Sequence, residues 1–435
     1  MADLTSPELT ARIHRGAREI GGSCVELRSG DATIILDLGT PLTSRPGQLT
    51  PLPQAIGLGA GGTAPLGVFI THGHQDHWGL VPQLPPGIPL FVGQGAANVL
   101  RAAQFWGTGV DLGETGHLTH LGPVRLGPFT VTPYLPDHSG YDAYSLLVEA
   151  GGRRLFYTGD LRGHGRKAAM FDRLLAGPPA PVHALLMEGT SFRAAQLPGA
   201  GPSAQKTPTP VPTEADLENS IAETMRGTDG LVVVLASAQN IDRLVTVYRS
   251  ALRAERDLVV DLYTADVAAA TGRASIPRPG PDWPRVHVHV PLRQRVRVKD
   301  SGEFGRVARV REHRLYAEQL RSRRSGLVLF GAYQSEIPRL LREGLLEGGA
   351  VVWSMWDGYL HEASGLRLQA ALRGADVPLV HHHTSGHAST QDLAQLVAAL
   401  HPRVVVPIHT DAPDEYAAAI GPLVQARADG VWWPV

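Results

Sequence analysis

The chain has 435 residues, 43% hydrophobic and 19% charged, with a net charge of −1. That length exceeds what one hydrophobic core usually serves, and the composition excludes general disorder and a uniformly basic nucleic-acid binder. A single cysteine, Cys24, excludes an intrachain disulfide, no apolar run approaches the ~20 residues that span a bilayer, and MADLTSPELT lacks the basic and apolar regions of a secretory leader, so two domains at a cytoplasmic location, with no membrane partner, are expected.

The N-terminal part reads as short strands. CVELRSGDATIILDLG is two alternating apolar runs around Ser29-Gly30-Asp31, a hairpin signal. GVFITHGHQDH is a buried strand, Gly67 to Ile70, that ends where histidines begin, and FTVTPYLPDH is another that runs into His138. DAYSLLVEAGGRRLFYTGD is a hairpin turning at Gly151-Gly152 and ending at Asp160, and HALLMEGTS is a strand ending at Glu188. Polar groups therefore recur where apolar strands stop, which is how a sheet gathers a site along one edge.

From Ala194 to Thr213 the composition changes to a Pro/Ala/Thr-rich connector without periodicity. TEADLENSIAETMRG then reads as an amphipathic helix capped by Thr213, three residues before Asp216. LVVVLASAQNIDRLVTVYRSALR, DLVVDLYTADVAAAT and SGLVLFGAYQSEIPRLLREG each run strand, loop, helix, and AVVWSM is a further strand, so a parallel α/β unit is predicted. Between Arg285 and Arg324 lie ten more basic residues against four acids, Asp300, Glu303, Glu312 and Glu318; this is either a solvated face or a phosphate-binding channel. Trp353, Trp356 and Tyr359 are expected to pack in the core rather than to stack bases. DVPLVHHHTSGHAS, the helix TQDLAQLVAALH and the strand RVVVPIHT restore the strand-into-histidine pattern, so the α/β unit is read as an insertion. The expected domains are 1–195 and 376–435, forming one domain, with an inserted domain over 196–375.

The chemistry centres on Thr71-His72-Gly73-His74-Gln75-Asp76-His77-Trp78-Gly79. Four ligand-type side chains fall within six residues, so His72 and His74 can serve one cation while Asp76 and His77 serve a second. Imidazole nitrogen and carboxylate oxygen are the ligands zinc accepts where thiolate is absent. Gly73 and Gly79 are expected to give the loop its backbone freedom.

This HxHxDH motif resembles the signature of the metallo-β-lactamase superfamily, and the resemblance continues in the family's order. Asp37 in LDLG matches the aspartate that holds the metal loop from behind, His138 in PDH a ligand of the first metal, and Asp160 in TGD the carboxylate that bridges both metals. The last third resembles the β-CASP nuclease branch, which includes ribonuclease J, the cleavage-and-polyadenylation endonuclease and Artemis-type DNA nucleases. Glu188 in MEGTS matches its acidic motif, Ser385-Gly386-His387-Ala388 its Ser-Gly-His-Ala loop, and His409 in PIHT the final metal ligand. The histidine there, where Artemis-type enzymes tend to carry valine, leans towards RNA processing. Two departures stand out: ribonuclease J usually continues that last motif His-Gly-Glu, against His409-Thr410-Asp411 here, and its extra C-terminal domain is not matched, so its dimer contacts are not carried over.

The resemblance implies an α/β fold, a metallo-β-lactamase αββα sandwich with an inserted parallel α/β β-CASP domain. It implies two Zn2+ per chain, with Mn2+ as the other candidate, and hydrolysis of RNA, and of single-stranded DNA as well, by a metal-activated hydroxide. Asp76, Glu188 and His387 are then the catalytic candidates, with His387 beside Glu188 donating the leaving-group proton. Ser385, Gly386 and Ala388 are the candidate phosphate cradle. A hydrolase of a small phosphorylated or acyl substrate is the alternative, since this scaffold hosts many chemistries; a metal-free binding subunit is disfavoured because every ligand position is filled. Exo- against endonucleolytic cleavage and homo-oligomerisation stay open at this point.

Overall fold

The computed structural model describes residues 8–44, 50–53, 63–192 and 211–435; the expected connector lies outside them up to residue 210. Two compact units result, one of Met1–Arg101, Gly109–Pro210 and Gly386–Val435, the other of Ala102–Thr108 and Val211–Ser385.

The first unit is built on two sheets. One runs Trp432–Pro434, Leu9–Arg15, Cys24–Ser29, Ala32–Leu36, Val68–Phe69, Leu90–Gly93, Gly116–Leu118; the other runs Val404–Ile408, Ala184–Glu188, Arg153–Tyr157, Ser145–Ala150, Phe129–Tyr134, Val124–Leu126. Strands facing the core on one side alternate, as Phe129–Tyr134 does. Ala184–Glu188, paired in parallel on both sides, is buried throughout and is accordingly a continuous apolar run. At the hairpin tip Gly151 and Gly152 both take positive φ, 56° and 72°, which only glycine adopts freely. Ile13, Leu27, Leu36 and Phe69 of the first sheet pack with Phe129, Leu146, Leu155, Leu186 and Ile408 of the second. The outer face of the first sheet is covered by Trp78 and by Ala96, Ala97 and Leu100 of the helix Gln94–Gln104. The outer face of the second packs Phe156, Leu185 and Met187 against Phe171, Leu393, Leu396 and Tyr416 of three helices. The layers are therefore helix, sheet, sheet, helix, as expected.

The second unit holds one sheet in which all the pairings are parallel, ordered Val286–Val288, Asp257–Val260, Leu327–Gly331, Val232–Leu235, Ala350–Trp353, Leu379–His381. Apolar clusters lie on both of its faces. The helix Glu214–Arg226 opens with the predicted cap: Thr213 and Asp216 exchange hydrogen bonds as a capping box.

Three details differ from expectation. Leu379–His381 pairs with Ala350–Trp353, so the histidine run 381–383 belongs with the second unit. Trp353 is buried, but Trp356 and Tyr359 are 44% and 47% exposed. They lie past the strand end, beside and within the turn Asp357–His361, and pack edge-to-face on each other. The glycines of the metal loop also act otherwise. Gly79 has an ordinary helical φ of −60° and is required because a Cβ would strike Thr40 and the Gln75 carbonyl, whereas a Cβ on Gly73 would make only ordinary contact with Leu100.

Candidate metal centre

The candidate ligands all stand at strand ends or in the loops just after them. Val68–Phe69 is followed by Thr71 and His72; His74 and Asp76 flank the start of the short helix Gln75–Trp78, and His77 lies within it. His138 follows Phe129–Tyr134, Asp160 follows Arg153–Tyr157, Glu188 ends Ala184–Glu188, and His409 follows Val404–Ile408. The structure gathers all of these in the first unit.

Two groups form. His72, His74, His138 and Asp160 offer ligand atoms within 4.8 Å of one another, and so do Asp76, His77 and His409. In the first, His74 Nδ1 is 3.0 Å from His72 Nε2 and 3.2 Å from His138 Nε2. His138 donates its Nδ1–H to the Gly386 carbonyl (2.7 Å), so its Nε2 presents a lone pair. In the second, His409 Nε2 lies 3.1 Å from Asp76 Oδ2, and Thr190 Oγ1 meets His409 Nδ1 at 2.8 Å. Asp160 stands between them, with Oδ2 3.6 Å from His72 Nε2 and 3.4 Å from His77 Nε2.

These residues fit a pair of divalent cations on their own chemistry. Imidazole nitrogens converge, with the second nitrogens of His72, His77, His138 and His409 committed elsewhere, and the buried His77 Nε2 and Asp160 Oδ1 have no hydrogen-bond partner among the described residues. Burial and the neighbouring imidazoles hold His72 and His138 well below the usual histidine range, in the neutral form a metal requires. Against the cost of burial, Asp160, Asp37 and Asp76 raise His77 well above that range. The carboxylates that favour a proton on that ring favour a cation at Nε2 for the same electrostatic reason.

Behind the ligands sits Asp37, fully buried, with φ 57°. It accepts from Thr71 N (2.7 Å), Thr71 Oγ1 (2.8 Å), Tyr157 Oη (2.8 Å) and His77 Nδ1 (2.8 Å). Asp137 does similar work for the His138 loop: it accepts from Gly165 N (2.5 Å) and Lys167 N (3.2 Å). Sequence reasoning missed Thr71, Tyr157, Thr190 and Asp137; the only signal was their adjacency to motif residues. His409 also has a left-handed φ of 54°, a strained choice for a residue with a Cβ.

His387 Nδ1 lies 3.5 Å from Glu188 Oε1 and 3.7 Å from Asp160 Oδ2. Burial opposes its protonation, yet the two carboxylates carry it up to about 9. With Asp160 and His409 it also forms a third group within ligand distance. Glu188 Oε1 accepts from Ala388 N (3.1 Å) and Oε2 from Thr190 N (2.9 Å). The Ala388 amide is thus committed to Glu188 rather than open to a phosphate. Ser385 closes the second unit and Gly386 reopens the first. His381, His382 and His383 join no metal-capable group among the described residues.

The second unit carries its own concavity, of about 730 Å3. The chain leaves the neighbouring strands Val232–Leu235 and Leu327–Gly331 in opposite directions. Such a switch point opens a crevice at the carboxyl ends of a parallel sheet. Ser237, Gln239, Tyr263, Gln334, Arg293 and Arg367 line it. Much of the basic stretch has other partners: Arg306 and Arg309 pair with Asp266, and Arg285 and Arg323 with Asp257. Arg297 stacks on Phe105.

Comparison with known proteins agrees with this geometry. The profile of the metallo-β-lactamase superfamily matches residues 17–195, and that of the Zn-dependent metallo-hydrolase RNA specificity domain matches residues 379–420. The chain is similar to ribonuclease J of Mycobacterium tuberculosis, 27% identical over 263 residues, which make up 57% of this chain and 44% of that protein. It is also similar to ribonuclease J of Mycoplasma genitalium, 21% identical over 420 residues, 91% of this chain and 66% of that protein. The matches thus span only about half to two thirds of the length of these relatives. A crystal structure of a protein of unknown function from Enterococcus faecalis V583 shares the fold, with a TM-score of 0.77 at 21% identity, over 98% of this chain and 100% of that one. Among the described residues, no helix is long and apolar enough to cross a membrane.

Asp37→Asn keeps the shape of this side chain and removes the charge that orients Thr71, Tyr157 and His77. The expected outcome is retention of a divalent metal weakened by about 10–100-fold, read by competition with a chromogenic chelator at unchanged far-UV circular dichroism. Unaltered retention would separate Asp37 from the metal centre.

Proposed function

We propose that this chain, a member of the metallo-β-lactamase superfamily in its β-CASP branch, is a two-zinc phosphodiesterase that hydrolyses RNA, with single-stranded DNA as a second candidate substrate. The observation that carries the proposal is the pair of ligand groups meeting at Asp160. His72, His74 and His138 would hold one cation, Asp76, His77 and His409 the other, with Asp160 shared. The donor set, nitrogen and carboxylate without thiolate, suits zinc and admits manganese. When bound, the cations would bring the pKa of water towards neutrality and offset charge on the phosphoryl oxygens.

The protein's own groups do the rest. Asp37 and Thr190 fix the rings of His77 and His409, so the ligand atoms need no reorganisation when substrate binds. His387, placed between Glu188 and Asp160, is the group we assign to the departing oxygen, where it holds and delivers the proton. The crevice in the second unit, with Arg293 and Arg367, suits a single strand: guanidinium groups for phosphates, and Tyr263 and neighbouring amide and hydroxyl groups for the nucleoside. The similarity to ribonuclease J and the RNA specificity match favour RNA over a small phosphorylated or acyl substrate. A cytoplasmic site of action suits that substrate.

The direct test is purified protein with end-labelled and internally labelled RNA and DNA, with and without chelator. Cleavage of RNA that stops with chelator and returns with zinc or manganese is expected, and the label position separates cleavage from an end from internal cleavage. Hydrolysis of small phosphodiesters or esters without any action on RNA would instead establish the alternative substrate class.

His387→Ala is expected to lower turnover by roughly 10²–10⁴ while metal content holds. Loss of metal in that variant would make His387 a ligand, and full activity would remove it from the mechanism. Reversing Arg293 and Arg367 to Glu should weaken RNA binding and flatten its salt dependence by about 0.7 for each phosphate no longer neutralised. An unchanged slope would place the strand elsewhere.

A further inference from the structure

A second convergence of buried polar atoms lies in the second unit and takes no part in the proposed hydrolysis. Where the edge strand Val286–Val288 ends, His289 lines a pocket of about 240 Å3 together with Arg295, Arg314, Tyr316, Arg339 and Glu343. His289 is 6% exposed. Its ring is fixed, since Nδ1–H donates to the Leu315 carbonyl at 3.1 Å. Nε2 therefore carries a lone pair in the neutral ring, and it is buried with no hydrogen-bond partner among the described residues.

The guanidinium groups around it are unevenly compensated. Arg339 lies 3.6 Å from Glu336 and 3.3 Å from Glu343. The side chains of Arg295 and Arg314 make no hydrogen bond or ion pair among the described residues; Arg314 lies over the Tyr316 ring at 4.7 Å, and its Nε is buried without a partner. Burial and these three arginines push His289 down to about 4, so it adds no charge at neutral pH. Two uncompensated cations held around one small pocket repel each other, a cost that the stability of the fold does not require. A dianion between them would offset both, and guanidinium forks match pairs of phosphate oxygens. The pocket has room for about eight waters at ~30 Å3 each. That is enough for a phosphate on a short hydroxylated carbon frame, and too little for a whole nucleotide.

We propose that this pocket binds a small phosphate-bearing anion, its phosphate held by Arg295, Arg314 and Arg339 and a hydroxyl supplying the donor that His289 Nε2 lacks. The source is either inorganic phosphate or a sugar phosphate, which share the P–O⁻ and O–H groups that the pocket addresses. The site is independent of the hydrolase assignment, because none of its residues belongs to the metal centre.

The test is calorimetric titration of the full chain, zinc-loaded and chelator-treated, with inorganic phosphate and with ribose 5-phosphate. Saturable binding that persists after chelation is expected, with the tighter of the two ligands naming the source. Affinity should fall about tenfold or more in Arg295→Ala and again in Arg314→Ala, the worth of one charge-assisted hydrogen bond each. Arg295 is exposed, so its removal leaves the core untouched and decides the matter even should Arg314→Ala fail to fold. Equal affinity in Arg295→Ala and wild type, or phosphate binding seen only with metal present, would overturn the proposal. So would binding confined to single-stranded RNA without terminal phosphates.

Discussion

A carboxylate without solvent keeps its charge only if hydrogen-bond donors answer it, and Asp37 is answered four times, by Thr71 twice, Tyr157 and His77. At about 1.5–3 kcal/mol for each bond to a charged group, that cluster is a strong local constraint. It also joins parts distant in sequence. Asp37 and Thr71 stand at strand ends of one sheet, and Tyr157 at a strand end of the other. The same contact that aligns the two sheets therefore orients the His77 ring. The main chain repeats the link, with Leu38 N donating to the His77 carbonyl at 2.8 Å and Ser23 N to that of Asp76 at 3.1 Å. A Cβ on Gly39 would collide with that Asp76 carbonyl, which is why glycine follows the Asp37 turn. The arrangement of the candidate ligands is here a property of the sheet packing rather than of a loop.

That dependence explains which features could be read from the amino-acid sequence. His72, His74, Asp76 and His77 declare themselves because ligands for two cations lie within one turn and its approach. His138, Asp160, Glu188 and His409 are legible because each follows or ends an apolar run, and the structure places all of them at one edge. Thr71, Tyr157, Thr190 and Asp137 were not legible. Threonine and tyrosine are common, and what marks these is a partner up to 219 residues away. The basic stretch stayed open between two readings for a related reason. Counting acids only between Arg285 and Arg324 omits Asp257 and Asp266, which lie upstream in the chain and pair with four of its arginines. Likewise Leu379–His381 is too short for its own pattern to say which sheet it joins.

The two units use their sheets differently. In the first, antiparallel and parallel pairings mix, and ligands collect where strand ends converge under two layers of helix. In the second, a wholly parallel sheet opens a crevice at its switch point and lines it with hydroxyl, amide and guanidinium groups, none of them metal ligands. One unit thus concentrates imidazole and carboxylate groups able to hold metal, the other hydroxyl, amide and guanidinium groups. A net charge of −1 hides a local imbalance: Asp266 and Asp257 pair with Arg306, Arg309, Arg285 and Arg323, while among the described residues Arg293, Arg295 and Arg314 form no ion pair.

His409 meets Asp76 across 333 residues of chain. By residue 160 the ribosome has already delivered every other ligand, yet the strand Val404–Ile408 that positions the last one is made only after the whole second unit. Closing so long a loop is entropically costly until that unit has folded and shortened the effective separation. A partly synthesised chain therefore carries one histidine-rich group and an incomplete second. On the function proposed above, competence against nucleic acid would begin only once His409 has cleared the ribosome, so for most of its synthesis the nascent chain would be harmless to the message that encodes it.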